Sequence, residues 1–324
     1  MNLYSSILTY SRNASIAFRE VAHARPPLWP FRAICVGAIV PALSYNADAV
    51  FRAWPALVVL FLGVARGAAP SYSAAGIVNS ADYSTGPFAP NSLLTIFGTG
   101  LATATHSLAA SDIINNTLPT NMNGTAVYVD YSPAPLFYVA ADPHGQINFV
   151  LPSRVCAPAP PCTVVVRVVV NSLSGPDITL NVTAAAPALF PTADGFAIAT
   201  HGDSASEVTP DAPAHAGDIV VLYATGLGRT TRDPDPGELP NYTALLEDLS
   251  SLTVTVGGVP LTPPIATDCR AGGPPAICYA GLTPLSAALY QINFVLPPNT
   301  GPNPEIRVLL DGQASPAGVR LAVQ

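Results

Sequence analysis

Few stretches of this chain bring chemically capable side chains together. Asp142-Pro143-His144 sets a carboxylate two residues from an imidazole, which suits an acid/base pair or a metal ion. The loop RDPDPGEL (Arg232–Leu239) gathers Asp233, Asp235 and Glu238, hard oxygen donors of the kind that hold Ca2+. The segment QINFVLP occurs twice, at Gln146–Pro152 and Gln291–Pro297, and each copy carries two amides, Gln146/Asn148 and Gln291/Asn293. On a strand, residues two apart share a face, so the amides could meet a ligand together.

Each group also has a plainer reading. At the places aligned with Asp142 and His144 the second copy offers Ala287, Ala288 and Leu289, so a polar surface turn is expected there. The acidic loop lacks full calcium-loop spacing and alternates its acids with prolines, which predicts a solvated loop. The repeated amides are expected to fix neighbouring loops.

The wider inventory argues against catalysis. The chain has no Lys, hence no Schiff base or phosphate-loop lysine, and neither G-x-S-x-G nor H-E-x-x-H occurs. Past residue 69 the histidines are His106, His144, His201 and His215. Gly98-Thr99-Gly100 and Thr225-Gly226 follow apolar runs without opening a helical pattern, so Gly100 and Gly226 are expected at turns rather than in phosphate loops. No cofactor and no metal are expected. Sugar binding usually relies on exposed aromatic rings. Both Trp residues, Trp29 and Trp54, fall in the first 69 positions, leaving Tyr131, Tyr138, Tyr242, Tyr279 and Tyr290 as candidates, each expected in core or rim packing.

Charge and cysteine usage bear on location and partners. From residue 70 onward 7 Arg face 18 acids, and an acidic chain without a basic stripe is a poor partner for nucleic acid or anionic lipid. Pro55–Ala65 (PALVVLFLGVA), with Arg52 before it and small residues after it, matches a signal-peptide core and is too short to span a bilayer. Residues 1–69 are accordingly expected to be a leader with a signal-like segment at about 50–69, and no stable membrane span is expected in the mature form. Of five Cys, Cys35 lies in this leader; the others form two close pairs, Cys156/Cys162 and Cys269/Cys278, which predict two local disulfides in an oxidising compartment. Neither pair has zinc-site spacing.

These residues must be positioned by a β-rich frame. With 35 Pro, 24 Gly and many short apolar runs, the composition predicts strands joined by tight turns. LTIFGTGL (Leu94–Leu101) aligns with VVLYATGL (Val220–Leu227), TAVYVDYSPAP (Thr125–Pro135) with LTVTVGGVPLT (Leu252–Thr262), and QINFVLP with itself. Three blocks in one order make a tandem duplication, with an insertion holding Cys269 and Cys278 in the second copy. The expected architecture is all-β: two immunoglobulin-like sandwiches of some seven strands each, at 70–186 and 187–324, joined by Ala184–Pro191. Thr163–Val170 (TVVVRVVV) reads as a strand buried on both faces, Gly318–Val323 as a last strand, and Leu245–Leu252 as a helical turn.

The stretches NSADYSTGPFAPNSLLTIFGTGL, LPTNMNGTAVYVDYSPAPLFYVAADPHGQINFVLP and YQINFVLP resemble the secreted repeat domain abundant in acidobacterial proteins, related in style to IPT/TIG immunoglobulin-like modules. The resemblance covers residues 75–324 in two copies. It implies an extracellular β-sandwich and brings no catalytic residues. The function expected is a non-catalytic exported or cell-surface module for interaction, adhesion or spacing. The alternative is binding of extracellular polysaccharide, and a secreted hydrolase is a further one; the partner is an unidentified protein or a polysaccharide.

Overall fold

The computed structural model describes residues 68–324 apart from 157, 158, 264 and 267–269. The leader, its signal-like segment up to 67, Cys35, both Trp residues and Cys269 lie outside the described residues.

The described residues belong to one compact unit built almost wholly of strands. In chain order the first half holds β1 (Ser71–Asn79), β2 (Leu93–Thr99), β3 (His106–Ser107), β4 (Thr125–Val129), β5 (Ser132–Ala134), β6 (Leu136–Ala140), β7 (Gln146–Val150), β8 (Cys162–Val170), β9 (Leu173–Ser174) and β10 (Ile178–Val182). The second half holds β11 (Ala188–Leu189), β12 (Ala199–His201), β13 (Ile219–Thr225), β14 (Thr253–Val256), β15 (Val259–Leu261), β16 (Ile277–Leu282), β17 (Tyr290–Val295), β18 (Ile306–Leu310) and β19 (Gln313–Ala314). These are more and shorter strands than seven per copy, because several pairings last only two or three residues.

Their antiparallel ladders form four sheets: β1-β2-β7-β6-β3 and β10-β8-β4-β5 in the first half, then β11-β13-β17-β16 and β15-β14-β18-β19 in the second. The order β2-β7-β6 recurs as β13-β17-β16, and β8-β4-β5 as β18-β14-β15. Both QINFVLP segments are therefore central strands, β7 and β17. Ile147, Phe149 and Leu151 are fully buried, as are Ile292, Phe294 and Leu296. They meet inward residues of the facing sheet, Val127, Val164, Val166 and Val168 in the first half and Val254, Val256, Ile306 and Val308 in the second. Burying one such Phe is worth roughly 1.5–3 kcal/mol.

Several expectations need correction. The TVVVRVVV strand is buried on one face: Val164, Val166, Val168 and Val170 enter the core while Val165, Arg167 and Val169 lie on the partly exposed outer face. Its β-branched run satisfies the strand geometry without requiring a second covering layer. Leu245–Leu252 makes no helix; Leu245 and Leu246 bridge to Gly281 and Thr230. Gly318–Val323 contributes isolated bridges at Arg320 and Val323 rather than a strand. Ala184–Pro191, which runs from the first half to the second, is itself buried at Ala185, Ala188, Leu189 and Phe190, and Ala188–Leu189 pair with β13 as an edge strand.

The two halves share a third apolar cluster, in which Leu93, Val150 and Leu118 of the first meet Tyr223, Ala288, Leu289 and Leu239 of the second. Polar contacts reinforce it. The Leu93 amide donates to Thr225 Oγ1 at 3.0 Å, and Asn91 Nδ2 donates to the Tyr290 hydroxyl at 3.0 Å. That hydroxyl in turn donates to the Gly228 carbonyl, and burial pushes its pKa well up.

The acidic loop is solvated at Arg232, Asp235 and Pro236 as expected, but Pro234, Gly237 and Leu239 tie it to this junction. The Leu118 amide donates to Gly237 O at 2.9 Å, Ser153 Oγ to Pro234 O at 2.8 Å, and Arg154 pairs with Asp235 at 3.0 Å. Asp233 accepts from Arg229 Nε and from the Thr230 amide, both at 2.8 Å, and Glu238 accepts from the Asp235 amide at 3.0 Å and Tyr242 Oη at 3.2 Å. Asp233 and Glu238 are thus held by neighbouring donors, while Asp235 makes only an exposed ion pair.

Candidate functional site

The repeated glycines do what turns require. Gly100 and Gly226 have φ of +65° and +75°, and a Cβ on Gly226 would lie 2.1 Å from the Ala186 carbonyl. Asp142 Oδ2 accepts from the Gly100 amide at 3.0 Å, so Asp142 ties two turns together while His144 stays exposed. Cys156 and Cys162 are bonded to each other across a Cα–Cα distance of 5.6 Å, closing the loop that leads into β8. Cys278 is also disulfide-bonded. A disulfide fits an oxidising, extracytoplasmic setting. Among the described residues no helix is long and apolar enough to cross a membrane, and no three His, Cys, Asp or Glu side chains gather as a metal site would.

The amides of QINFVLP face away from the core but are not open to solvent as a pair. Asn148 is buried and its Oδ1 accepts from Gln146 Nε2 at 2.8 Å and from Thr95 Oγ1 at 3.1 Å. The equivalent Asn293 has Val221 opposite it on β13, and its Oδ1 has no partner. Gln291 lies beside Tyr223, which is buried at the junction. Of the five tyrosines weighed for stacking, Tyr290 is fully buried, Tyr138, Tyr242 and Tyr279 are half-buried, and Tyr131 is 74% exposed.

Tyr131 marks a candidate site on the outer face of the β8 sheet. Val129 pairs with Ser132, leaving Asp130-Tyr131 as a two-residue hairpin turn with φ of 46° and 67° at its two positions. Such a turn favours Asn-Gly or Gly-Gly, and a tyrosine held left-handed costs about 1–2 kcal/mol. The turn is anchored to β8: the Asp130 amide donates to Val165 O at 2.9 Å, and the Val165 amide to Asp130 Oδ1 at 2.8 Å.

Beside the ring, Arg167 on β8 grips Asp177 with two hydrogen bonds, from Nε and Nη2, each 2.6 Å. The Arg167 guanidinium carbon lies 5.5 Å from the centre of the Tyr131 ring, within cation–π range. The hydrogen bonds from Arg167 hold the Asp177 carboxyl below its usual range, so it remains an ionised acceptor. Tyr128 on β4 sits across from Arg167, and these side chains with Val165 line a cleft of about 180 Å³. Tyr72 braces it from beneath, accepting from the Val168 amide at 2.7 Å and donating to Pro176 O at 2.6 Å, one residue from Arg167 and Asp177 respectively.

The bidentate pair leaves Nη1 and the remaining carboxylate lone pairs unused beside an exposed ring. That set can stack on an apolar ring face while giving to one hydroxyl and taking from the next. Arg167, Asp177 and Tyr128 carried no signal when read alone. The alignment of Asp130-Tyr131 with Gly257-Gly258 held the clue, a bulky ring kept where the other copy uses glycine.

No family model matches the chain, and no curated protein matches it. Among solved structures, one described as "SGBP-B from a complex xyloglucan utilization locus in Bacteroides uniformis" aligns with 78% of this chain and 49% of its own, at 14% identity and a TM-score of 0.18. The match spans about half the length of that protein, and a likeness this slight carries no functional argument.

Proposed function

We propose that the protein works outside the cytoplasm as a non-catalytic binding module for polysaccharide. The observation that carries the reading is the Tyr131 cleft, an exposed ring in a strained turn beside a bidentate arginine–aspartate pair. The ring lies within cation–π range of Arg167 yet Tyr131 stays 74% exposed, which leaves its face open to a ligand. Export is supported by the Cys156–Cys162 bond and by the signal-like segment in the sequence. The two halves are read as copies of one immunoglobulin-like sandwich, joined into a rigid body that also suits spacing or adhesion at a cell surface.

Affinity electrophoresis of the purified protein through gels containing neutral polysaccharides tests this. Retardation by at least one polymer, weakened in Tyr131→Ala and in Arg167→Ala, is expected. Equal mobility of wild type and both variants in every gel would overturn it.

A further inference from the structure

Among the described residues five large apolar side chains are exposed, and three of them are aromatic: Tyr131 in the cleft, Tyr83 at 58% and Phe97 at 40%. Tyr83 and Phe97 lie together, with ring centroids 6.2 Å apart and planes inclined by 36°. Ile96 on β2 is in the core, so alternation turns Phe97 to the outer face of the β2 sheet. The β8 sheet bears the Tyr131 cleft on its own outer face, and the two sheets share one core. The two aromatic surfaces are therefore on opposite sides of the first half.

Phe97 pairs across the ladder with Gln146, so their side chains share that face. Gln146 is held by a built relay. Its Nε2 donates to Asn148 Oδ1 at 2.8 Å, which also accepts from Thr95 Oγ1, and the Ser80 hydroxyl lies 2.8 Å from Thr95 Oγ1. Ser80, Thr95 and Asn148 are all buried, so the relay is fixed and the Gln146 amide is presented in one orientation with its carbonyl oxygen left to accept. The backbone at Tyr83 is fixed as well. Its amide donates to Asn79 O at 3.0 Å, Asn79 Oδ1 accepts from the Ala81 amide at 2.9 Å, and φ at Tyr83 is 60°.

The outward side chains on β2, β7 and β6 at this place are Thr95, Phe97, Gln146, Asn148 and Tyr138, none of them charged. Asp82, next to Tyr83, spends a carboxylate oxygen on the Ser84 amide and hydroxyl at 2.9 and 2.7 Å. Two adjoining exposed rings flanked by one oriented amide, on strands that present no cation there, match the apolar face and hydroxyls of an uncharged pyranose.

We infer that Tyr83, Phe97 and Gln146 form a second glycan-binding surface, for neutral polysaccharide, so that one molecule holds two chains on opposite sides of its first half. This rests on the reading of the Tyr131 cleft. Titration calorimetry of the whole purified protein with cellohexaose and with mannohexaose reads the number of sites. Light scattering with hydroxyethylcellulose and galactomannan reads bridging.

The expectation is two sites in wild type, one in Tyr83→Ala/Phe97→Ala, one in Tyr131→Ala, and loss of polymer bridging in both variants. Gln146→Ala, which leaves the rings in place, should weaken only the second surface, by about 3-fold to 10-fold. If Tyr131→Ala removes all binding and the Tyr83/Phe97 variant none, the second surface is wrong and the cleft reading stands. If the reverse holds, the cleft reading fails alone. Wild type that binds neither oligosaccharide nor polymer overturns both. Envelope protein captured by wild type, insensitive to glycosidase treatment and lost in Tyr83→Ala/Phe97→Ala, would overturn the glycan assignment in favour of a protein partner.

Discussion

The outer surface of β4 and β8 in the first half and its counterpart on β14 and β18 in the second begin from the same frame and diverge in what they present. Val127 pairs with Val168 as Val254 pairs with Val308, which places Arg167 and Arg307 at matching positions. Arg167 faces Tyr128, meets Asp177 and lies over Tyr131. Arg307 faces Thr255, and the turn matching Tyr131 is Gly257-Gly258. Its guanidinium donates to the Ser315 carbonyl at 3.2 and 2.7 Å, a contact that finishes a loop, with Thr255 and Gly258 where the first half has Tyr128 and Tyr131. Matching arginines thus hold a carboxylate beside a ring in one half and a loop carbonyl in the other. The core tolerates no such drift, because close-packed residues answer to one another while outward positions do not.

The amide strands teach the same lesson from inside the junction. Asn148 has Thr95 to satisfy it; Asn293 has Val221 and an unpaired oxygen. In the first half the far end of that sheet face stays open at Phe97 and Gln146, whereas Tyr223, aligned with Phe97, is sealed against the other half.

If the halves share one frame, Phe149→Ala and Phe294→Ala should cost nearly the same, about 3–5 kcal/mol each, in urea unfolding followed by tyrosine fluorescence. A difference of more than twofold would break the equivalence of the cores. Tyr290→Phe should cost about 1–3 kcal/mol, since it strands both Asn91 Nδ2 and the Gly228 carbonyl; an unchanged unfolding midpoint would remove the hydroxyl from the junction. Smaller effects should have opposite signs in the two amide strands. Thr95→Val should destabilise by about 1 kcal/mol, and Val221→Thr should gain up to about 1 kcal/mol by giving Asn293 a donor. The same sign for both would mean that Asn293 is satisfied by water.

The pH dependence of binding gives the smallest expected change. Asp177 is held ionised by Arg167, so its contribution is present above the ordinary carboxylate range and is lost only as pH falls through the lowered value. Affinity for polysaccharide should stay flat from neutral pH down to about 4 and decline below it. A decline that begins near the histidine range would point to another group.

Much of the frame was legible in the chain itself. The exact recurrence of QINFVLP located the central strand of both halves, and period-two alternation put Ile147, Phe149 and Leu151 inward. Gly257-Gly258 and Asp311-Gly312, dipeptides of the kind that favour tight hairpins, do form turns between Val256 and Val259 and between Leu310 and Gln313. What local pattern could not show was long-range contact. RDPDPGEL looks solvated throughout until the 114–118 and 153–154 segments are brought against part of it, and AAAPALFP reads only as a connector until β13 pairs with it. The candidate site was partly visible. Tyr131 stood among five tyrosines, but the pairing of β4 with β8 and of β8 with β10 is needed to bring Tyr128, Arg167 and Asp177 around it.

The most direct test sets the two arginines against each other in one calorimetric titration of the purified protein with the polysaccharide that retards it. Arg167→Ala should lower affinity at the cleft by about 10-fold to 100-fold, while Arg307→Ala leaves it unchanged and both proteins stay folded. Equal losses from the two substitutions, or none from Arg167→Ala, would contradict the assignment of recognition to the first half.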